Sequence, residues 1–541
     1  MIVGHTADQV RDAERPLLAA GPPGALMAQA SFALAVRVCG LLRERRGAVR
    51  GASVVALVGP GSNGGDALHA GAELARRGVA VLAVATSPAV HGPGLAALRD
   101  AGGQVVTVVD DGPGRRVWTG DALADAVAAD VVLDGLLGIG ARGALRGAAA
   151  ELVTLLTELL ADDAAPGAPD VVAVDLPSGI GVDDGARPGP VLPADLTVTF
   201  GAVKAGLLLP PASGVAGDVE LVDLGLDLVG AAPAAARLEA GDVPDLWPVP
   251  GRGAHKYTRG VVGVVAGTSA YPGAAVLSVT ATVLAGTGMV RYLGPSRVTD
   301  AVLAARPEVV AGQGRVQAWV LGPGVDPADT EQAVRVQDAL GAALHDGLPA
   351  VVDAGALQLL PDHLRPWIVL TPHAGELATL LAARGETVDR AGVEAQPLRW
   401  ARRAHELTGA TVLLKGSTTL VVGAGGGGAG AGGAGGSAAG GGGAGGSVWS
   451  QADAPAWLAT AGAGDVLAGV LGALLAGRSA DVLADPPLAA ALAATAALVH
   501  GRAAHRSNPA GPVHALAVAH ALPGTLAELL REPTGRPPVG H

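Results

Sequence analysis

Short apolar runs rich in valine alternate along almost the whole chain with Ala- and Leu-rich stretches of helical length, and this alternation constrains the fold more than any other feature of the sequence. Strands that are apolar throughout need cover on both faces, which helices packed around a largely parallel sheet provide. In the first half, strands are expected at Ser53–Val58, Val79–Val84, Val105–Val109, Val131–Leu133, Val171–Val174, Leu196–Phe200 and Val219–Val222. In the second, they are expected at Val261–Ala266, Ala318–Leu321, Ala350–Val352, Ile368–Leu370, Thr411–Leu414 and Leu420–Val422, before helical stretches near 466–477, 487–505 and 513–530. From Gly225 to Gly253 the period fails and Pro233, Pro244, Pro248 and Pro250 accumulate. The expected organisation is therefore an α/β domain over 1–225, a linker over 226–253 and a second α/β domain over 254–541. A length of 541 residues suits two or more such cores.

Residues 423–447 contain no apolar side chain larger than alanine. Such a segment has nothing to bury in return for its ordering entropy, so a disordered loop is expected there, flanked by the two arms of a hairpin.

Composition removes several classes of function. A net charge of −12 with no basic tract argues against nucleic acid and anionic membrane surfaces, which leaves small molecules as the better partners. Cys39 is the single cysteine, so neither an intrachain disulfide nor a cysteine zinc cluster is available. Asp8, Arg11, Asp12 and Glu14 interrupt any export signal, and the apolar stretches Val466 to Ala476 and Leu488 to Val499 are shorter than the roughly 20 residues that span a bilayer. A cytoplasmic protein is expected. Lysine occurs only at 204, 256 and 415 and asparagine only at 63 and 508, which gives those positions added weight.

Two groups of strand ends carry chemistry. In LATAGAGDVLAGVLGALLAG (458–477), Gly462 and Gly464 allow a turn that points N–H groups at a phosphate, and the helix start adds partial positive charge. Asp465 then stands where it could take a proton from an attacking hydroxyl, although an aspartate there also serves as a helix cap. VLTPHAGELATLL (369–381) ends a strand on His373, with Glu376 in the following first turn. ATVLLKGSTTLVV (410–422) ends another on Lys415, before hydroxyl residues suited to phosphate or ribose.

In the first half, VVALVGPGSNGGDALHAGAELARRG (54–78) is a strand, a glycine loop and a helix, but it does not match the dinucleotide fingerprint Gly-x-Gly-x-x-Gly. VVLDGLLGIGARG (131–143) and VVAVDLPSGIGVDDG (171–185) add Asp134, Asp175 and Ser178 at strand ends. Oxygen ligands from several loops suit a monovalent cation, and turn-capping is the plain alternative for each aspartate.

Taken together with YPGA (271–274) and LGPG (321–324), the segments of roughly 250–530 resemble the ribokinase-like, ADP-dependent NAD(P)H-hydrate dehydratase family. The resemblance implies that Gly464 and Lys415, Gly416, Ser417, Thr418 and Thr419 bind the nucleotide. It also implies that Asp465 is catalytic, that Ala274, Gly324, His373 and Asp465 contact the hydrate, and that Mg²⁺ accompanies ADP. Ala461 and Ala463 stand where that family has a glycine and a threonine.

Residues of about 5–225 resemble the NAD(P)H-hydrate epimerase domain, a Rossmann-like fold. This implies hydrate contacts from Ser62, Asn63, Gly64, Gly65, Asp66, from Gly138, Ile139, Gly140, Ala141, Arg142, Gly143, Ala144, and from Asp175, the residue for proton transfer. Potassium would lie at Asn63, Asp134 and Ser178. Ser62, Gly135 and Ile139 depart from the family's Asn, Ala and Thr. The expected function is metabolite repair: R and S hydrates (NADHX, NADPHX) are interconverted, and the S form is dehydrated with ADP, by a homo-oligomer. Alternatives are a ribokinase-like kinase of a small vitamin or sugar alcohol, and a non-catalytic N-terminal scaffold.

Overall fold

The computed structural model describes residues 1–161, 167–425 and 446–531. The chain divides into two compact units, one of Val3–Ala231 and one of Met1–Ile2 with Ala232–His541.

The N-terminal unit is an eight-stranded parallel sheet. Across the sheet the strands are Asp218–Val222, Leu196–Phe200, Asp170–Val174, Val131–Gly135, Ser53–Val58, Ala80–Ala85, Gln104–Thr107 and Arg115–Arg116. From Ser53–Val58 the chain builds outward in one direction and then, at Val131–Gly135, in the other. The direction of winding reverses between these two strands, and open parallel sheets bind ligands at the carboxyl end of that reversal. One core layer forms where Leu34, Val38 and Leu42 of the helix Ala25–Arg46 and Leu68 and Leu74 of the helix Ser62–Arg76 cover one face. Leu152, Val153 and Leu156 of the helix Gly147–Leu160 cover the other. Ala25–Arg46 is long and apolar enough to cross a membrane, with a mean hydropathy of 1.7, a feature the sequence reading passed over. Its buried residues belong to this core.

In the C-terminal unit the strand order is Val310–Ala311, Met289–Leu293, Val261–Val265, Ala318–Leu321, Ala350–Val352, Ile368–Leu370, Thr411–Leu414, Thr419–Gly423, Ser447–Gln451 and Ala235–Arg237. It is parallel through Thr411–Leu414, and Thr419–Gly423 runs antiparallel to both of its neighbours. The winding reverses at Val261–Val265. The helices Pro272–Leu284, Ala463–Gly477, Leu488–Ser507 and Ala515–Leu529 pack their alanine and leucine faces into one core. Small side chains let these helices approach closely: the backbone carbonyl of Ser278 lies 2.3 Å from where a Cβ on Gly469 would stand.

Three expectations change. The segment read as a strandless linker, 226–253, holds the strand Ala235–Arg237, paired with Trp449, and the short helix Val243–Leu246. Leu238, Val243, Leu246 and Trp247 are buried in the C-terminal core, so four well-spaced apolar residues outweigh the prolines around them. The strand Met289–Leu293 falls outside those expected because Arg291, on its half-buried side, interrupts the apolar run. Of the stretch 423–447 expected to be disordered, 426–445 lies outside the described residues, and its ends, Gly423 and Ser447, are paired residues of the hairpin strands.

Candidate active sites

In the C-terminal unit five strand ends and one helix start converge. Gly462 caps the helix Ala463–Gly477 at φ +86, a left-handed conformation in which a side chain is strained. That turn leaves the first N–H groups of the helix free to point outward and sets Asp465 in its first turn. Gly464 faces Lys415, whose Nζ is 3.3 Å from where a Cβ on residue 464 would be. Lys415 follows the strand Thr411–Leu414 and bridges to His373 at the end of the neighbouring strand, donating its N–H to the Pro372 carbonyl at 2.8 Å.

The Lys415 ammonium is the hub of the site. It lies 2.7 Å from Asp353 Oδ1 and 3.6 Å from Glu376 Oε2. Asp353 ends the strand Ala350–Val352 and is 2% exposed, and Thr371 donates its hydroxyl to the same Oδ1 at 2.8 Å. Burial opposes the charge on Lys415, but Asp353 and then Glu376 outweigh it, and its pKa rises above the ordinary lysine value. Burial, followed by the Asp353 charge, pushes Asp465 up to about 7, with Lys415 opposing and Glu376 adding to the rise. A carboxyl poised near neutrality can hold or release a proton under physiological conditions.

His373 caps the helix Ala374–Ala382: its Nδ1 accepts from the N–H groups of Gly375 (3.0 Å) and Glu376 (3.1 Å), and Glu376 Oε2 accepts from the His373 N–H at 2.7 Å. Glu376, left aside in the sequence reading as a first-turn carboxylate, is both that and a member of the charged cluster. Ala274 and Gly324 meet at the winding reversal, where a methyl on Gly324 would be 2.4 Å from that of Ala274. Gly416 and Ser417 are exposed, Thr418 is buried and Thr419 begins the strand Thr419–Gly423. A cavity of about 440 Å³ adjoins His373 and Glu376. A larger hollow, about 730 Å³, is lined by Trp247, Arg259 and Arg478 but by no carboxylate, histidine or lysine, so the chemistry singles out the smaller one.

Removing one partner of a buried ion pair strands the other's charge. Lys415→Met is therefore expected to cost about 3 kcal/mol in urea unfolding of the C-terminal unit. An unchanged midpoint would show that the ammonium does not compensate Asp353 and Glu376.

The N-terminal unit gathers its residues at the other reversal. Ser62 opens the helix Ser62–Arg76 at the surface, while Asn63, Gly64, Gly65 and Asp66 are buried in its first turns. Asn63 Nδ2 donates to the carbonyls of Leu137 (2.9 Å) and Val174. Ser178 Oγ accepts from Leu137 N–H at 2.8 Å, and Asp134 Oδ2 accepts from Ser178 N–H at 2.8 Å. Asn63, Asp134 and Ser178 thus surround one loop. Burial pushes Asp134 up from the usual carboxylate range, its hydrogen bonds from Ser178 and Leu136 oppose this, and it has no ion pair among the described residues.

Gly138 to Ala144 form the partly exposed rim, turned by a bond from Ala141 N–H to Gly138 O at 3.0 Å. Arg11 of the helix Ala7–Ala20 clasps the Ile139 carbonyl at 2.7 Å. Asp175 is buried at φ +71 and pairs with buried Lys204. Burial and then the Asp175 charge push Asp66 up to about 8. Sequence reasoning left Lys204 without a role and missed Asp353, although VVDAG (351–355) carries the apolar-run-then-aspartate signal that picked out Asp134 and Asp175.

Residues 24–206 match the family described as YjeF-related protein N-terminus, and residues 262–521 match the family NAD(P)H-hydrate dehydratase. The bifunctional NAD(P)H-hydrate repair enzyme Nnr of Mycobacterium tuberculosis is 42% identical over 484 residues, 87% of this chain and 89% of the relative. The NAD(P)H-hydrate epimerase of Clavibacter michiganensis is 46% identical over 239 residues, 42% of this chain and 94% of that protein. Among solved structures, the ADP/ATP-dependent NAD(P)H-hydrate dehydratase of Bacillus subtilis, co-crystallized with ATP/Mg²⁺, is 22% identical with a TM-score of 0.44, covering 54% of this chain and 98% of its own. With both halves matched in order and an identity of 42% sustained along most of both proteins, the chain belongs to the family of bifunctional NAD(P)H-hydrate repair enzymes, which join an epimerase domain to a dehydratase domain.

Proposed function

We propose that the N-terminal unit interconverts the R and S forms of NADHX and NADPHX, and that the C-terminal unit dehydrates the S form at the expense of ADP, giving AMP and phosphate. The observation that carries the reading is Asp465, held at a helix start beside Lys415 and pushed up to about 7 by burial and the Asp353 charge. In this reading Asp465 takes the hydroxyl proton of the hydrate as its oxygen attacks the terminal phosphorus of ADP. The helix N–H groups around Gly464 and the Lys415 ammonium receive the developing phosphoryl charge. Phosphate then leaves with the former hydroxyl oxygen and its bonding electron pair while the neighbouring ring carbon loses a proton to solvent, and the double bond formed from that C–H pair restores the dihydropyridine ring. Ala274, Gly324 and His373 orient the hydrate, and Gly416 to Thr419 hold the nucleotide.

The carboxylates of Asp353, Glu376 and Asp465 outnumber the single ammonium among them, a balance that suits an added cation. Glu376 and Asp353 would hold Mg²⁺ together with the nucleotide phosphates, and the ion would neutralise phosphate charge. In the N-terminal unit the buried, cation-free Asp134 with the oxygens of Asn63 and Ser178 suits potassium in the same way. Asp175 moves the proton at the epimerised carbon, and residues 62–66 and 138–144 enclose the hydrate. We place the protein in a reducing cytoplasm, in keeping with its single, buried Cys39, as a homo-oligomer whose mass sedimentation would measure.

Incubation with the S hydrate of NADH and ADP should restore the absorbance of NADH, and chiral separation should show the R hydrate turning over when potassium is present. Nucleotide consumption with a small alcohol alone would sink the dehydratase reading. R hydrate decaying no faster than its spontaneous rate would reduce the first unit to a scaffold.

A further inference from the structure

Lys204 is the one lysine of residues 3–231, and it is 2% exposed. An ammonium is costly to bury unless all three of its hydrogens find acceptors. Here they do: Nζ donates to Asp175 Oδ1, to Thr199 Oγ1 at 3.1 Å and to the Phe200 carbonyl at 2.8 Å. The same Asp175 oxygen also accepts from the Thr199 hydroxyl and the Phe200 N–H, each at 3.2 Å. One carboxylate oxygen is thus held by three donors. Among the described residues no hydrogen bond to Oδ2 is made.

The backbone adds a second observation. Asp175 has φ +71, a region sparsely used by residues with a side chain, at the carboxyl end of Asp170–Val174 beside the winding reversal. Such conformations persist only where the surroundings over-determine them. The surroundings here are a bond from Asp175 N–H to Val198 O at 2.8 Å on the neighbouring strand and the Lys204 anchor on its side chain. Two more carboxylates feel its charge, Asp66 from the helix Ser62–Arg76 and Glu14 from the helix Ala7–Ala20. A carboxylate in such company needs both a counter-charge and a fixed rotamer if one oxygen is to meet substrate.

We infer that Lys204 is a positioning residue for epimerisation: its three-point anchor locks Oδ1 of Asp175 and reserves Oδ2 for the hydrate. The inference rests on the proposed role of Asp175 and adds which oxygen acts and what holds it. Lys204 does not touch the hydrate.

The test is a double-mutant cycle in the full chain with potassium present, following the R hydrate by chiral separation. Lys204→Met should lower kcat about 100-fold, the order expected when a reacting group is displaced by about 1 Å, with KM little changed. In an Asp175→Asn background the same change should have almost no further effect, because residues that act as a unit are not additive. Lys204→Arg keeps the charge without the same three-point geometry, so it should recover part of the lost kcat. It also carries the cycle if the methionine variant does not fold. Equal losses of kcat in both backgrounds, or a Lys204→Met enzyme as fast as the wild type, would overturn the inference. So would a loss on Lys204→Met while Asp175→Asn stays fully active. Wild-type protein without epimerase activity would instead remove the reading beneath it.

Discussion

Asp465→Asn is expected to slow dehydration of the S hydrate by about 10²–10⁴, the usual contribution of a positioned acid or base, while the protein becomes more stable at alkaline pH. The two effects share one cause. Burial, and after it the Asp353 charge, raises the Asp465 pKa from 3.8 to about 7 in the folded protein. The folded state therefore holds this proton more tightly than the unfolded chain does. Its stabilising contribution is complete below the unfolded value and is lost as pH rises through about 7. Asparagine has no charge to bury, so the gain in Tm on substitution should grow from about pH 4 to about pH 7 and then level off. Wild-type activity should rise over the upper part of that window, as the ionised base forms. Recovery of NADH absorbance and melting curves across pH measure both. A helix-capping aspartate would behave in the opposite way, losing stability on substitution and leaving turnover unchanged, and that outcome would remove Asp465 from the chemistry.

Gly59→Ala is expected to abolish epimerisation and to lower the stability of the N-terminal unit by about 3 kcal/mol. A Cβ on residue 59 would lie 1.8 Å from the Leu136 carbonyl oxygen, and one on Gly64 would lie 2.2 Å from the Gly59 carbonyl oxygen. Three backbone segments are thus in direct contact where the winding reverses, and a backbone neighbour cannot swing aside as a flexible side chain can. To admit a methyl group, the Gly59 loop must move off the Leu136 segment. That separates Asn63 from the Leu137 carbonyl it reaches at 2.9 Å and so from Asp134 and Ser178. Calorimetry and both activities on one preparation would show the result. A variant whose epimerase rate stays within about twofold of wild type would show that the close approach is dispensable.

What could be read from the chain differed by the range of the interaction. Ser53–Val58, Leu196–Phe200, Ala318–Leu321, Ala350–Val352, Ile368–Leu370 and Thr411–Leu414 have the bounds expected of them, because a buried strand announces itself by its own apolar run. The segment around Ala235–Arg237 did not announce itself. A strand of three residues takes its place from the Trp449 strand beside it, and its prolines pointed the other way.

The candidate sites follow the same division. Asp465, Lys415, Asp134 and Asp175 were legible because the end of an apolar run and a glycine turn at a helix start are local features, set by a few adjacent residues. Lys415 with Asp353 and Glu376, Asp353 with Thr371, and Asp175 with Lys204 and Thr199, are pairings between residues 18 to 62 positions apart. Strand order brings them together, and strand order depends on how helices of similar alanine-rich composition cover the sheet. The sequence by itself determined which residues could do chemistry at the ends of strands. Only the tertiary structure decided which of them share a site, because a charge buried at one strand end is stabilised by whatever the neighbouring strand places beside it.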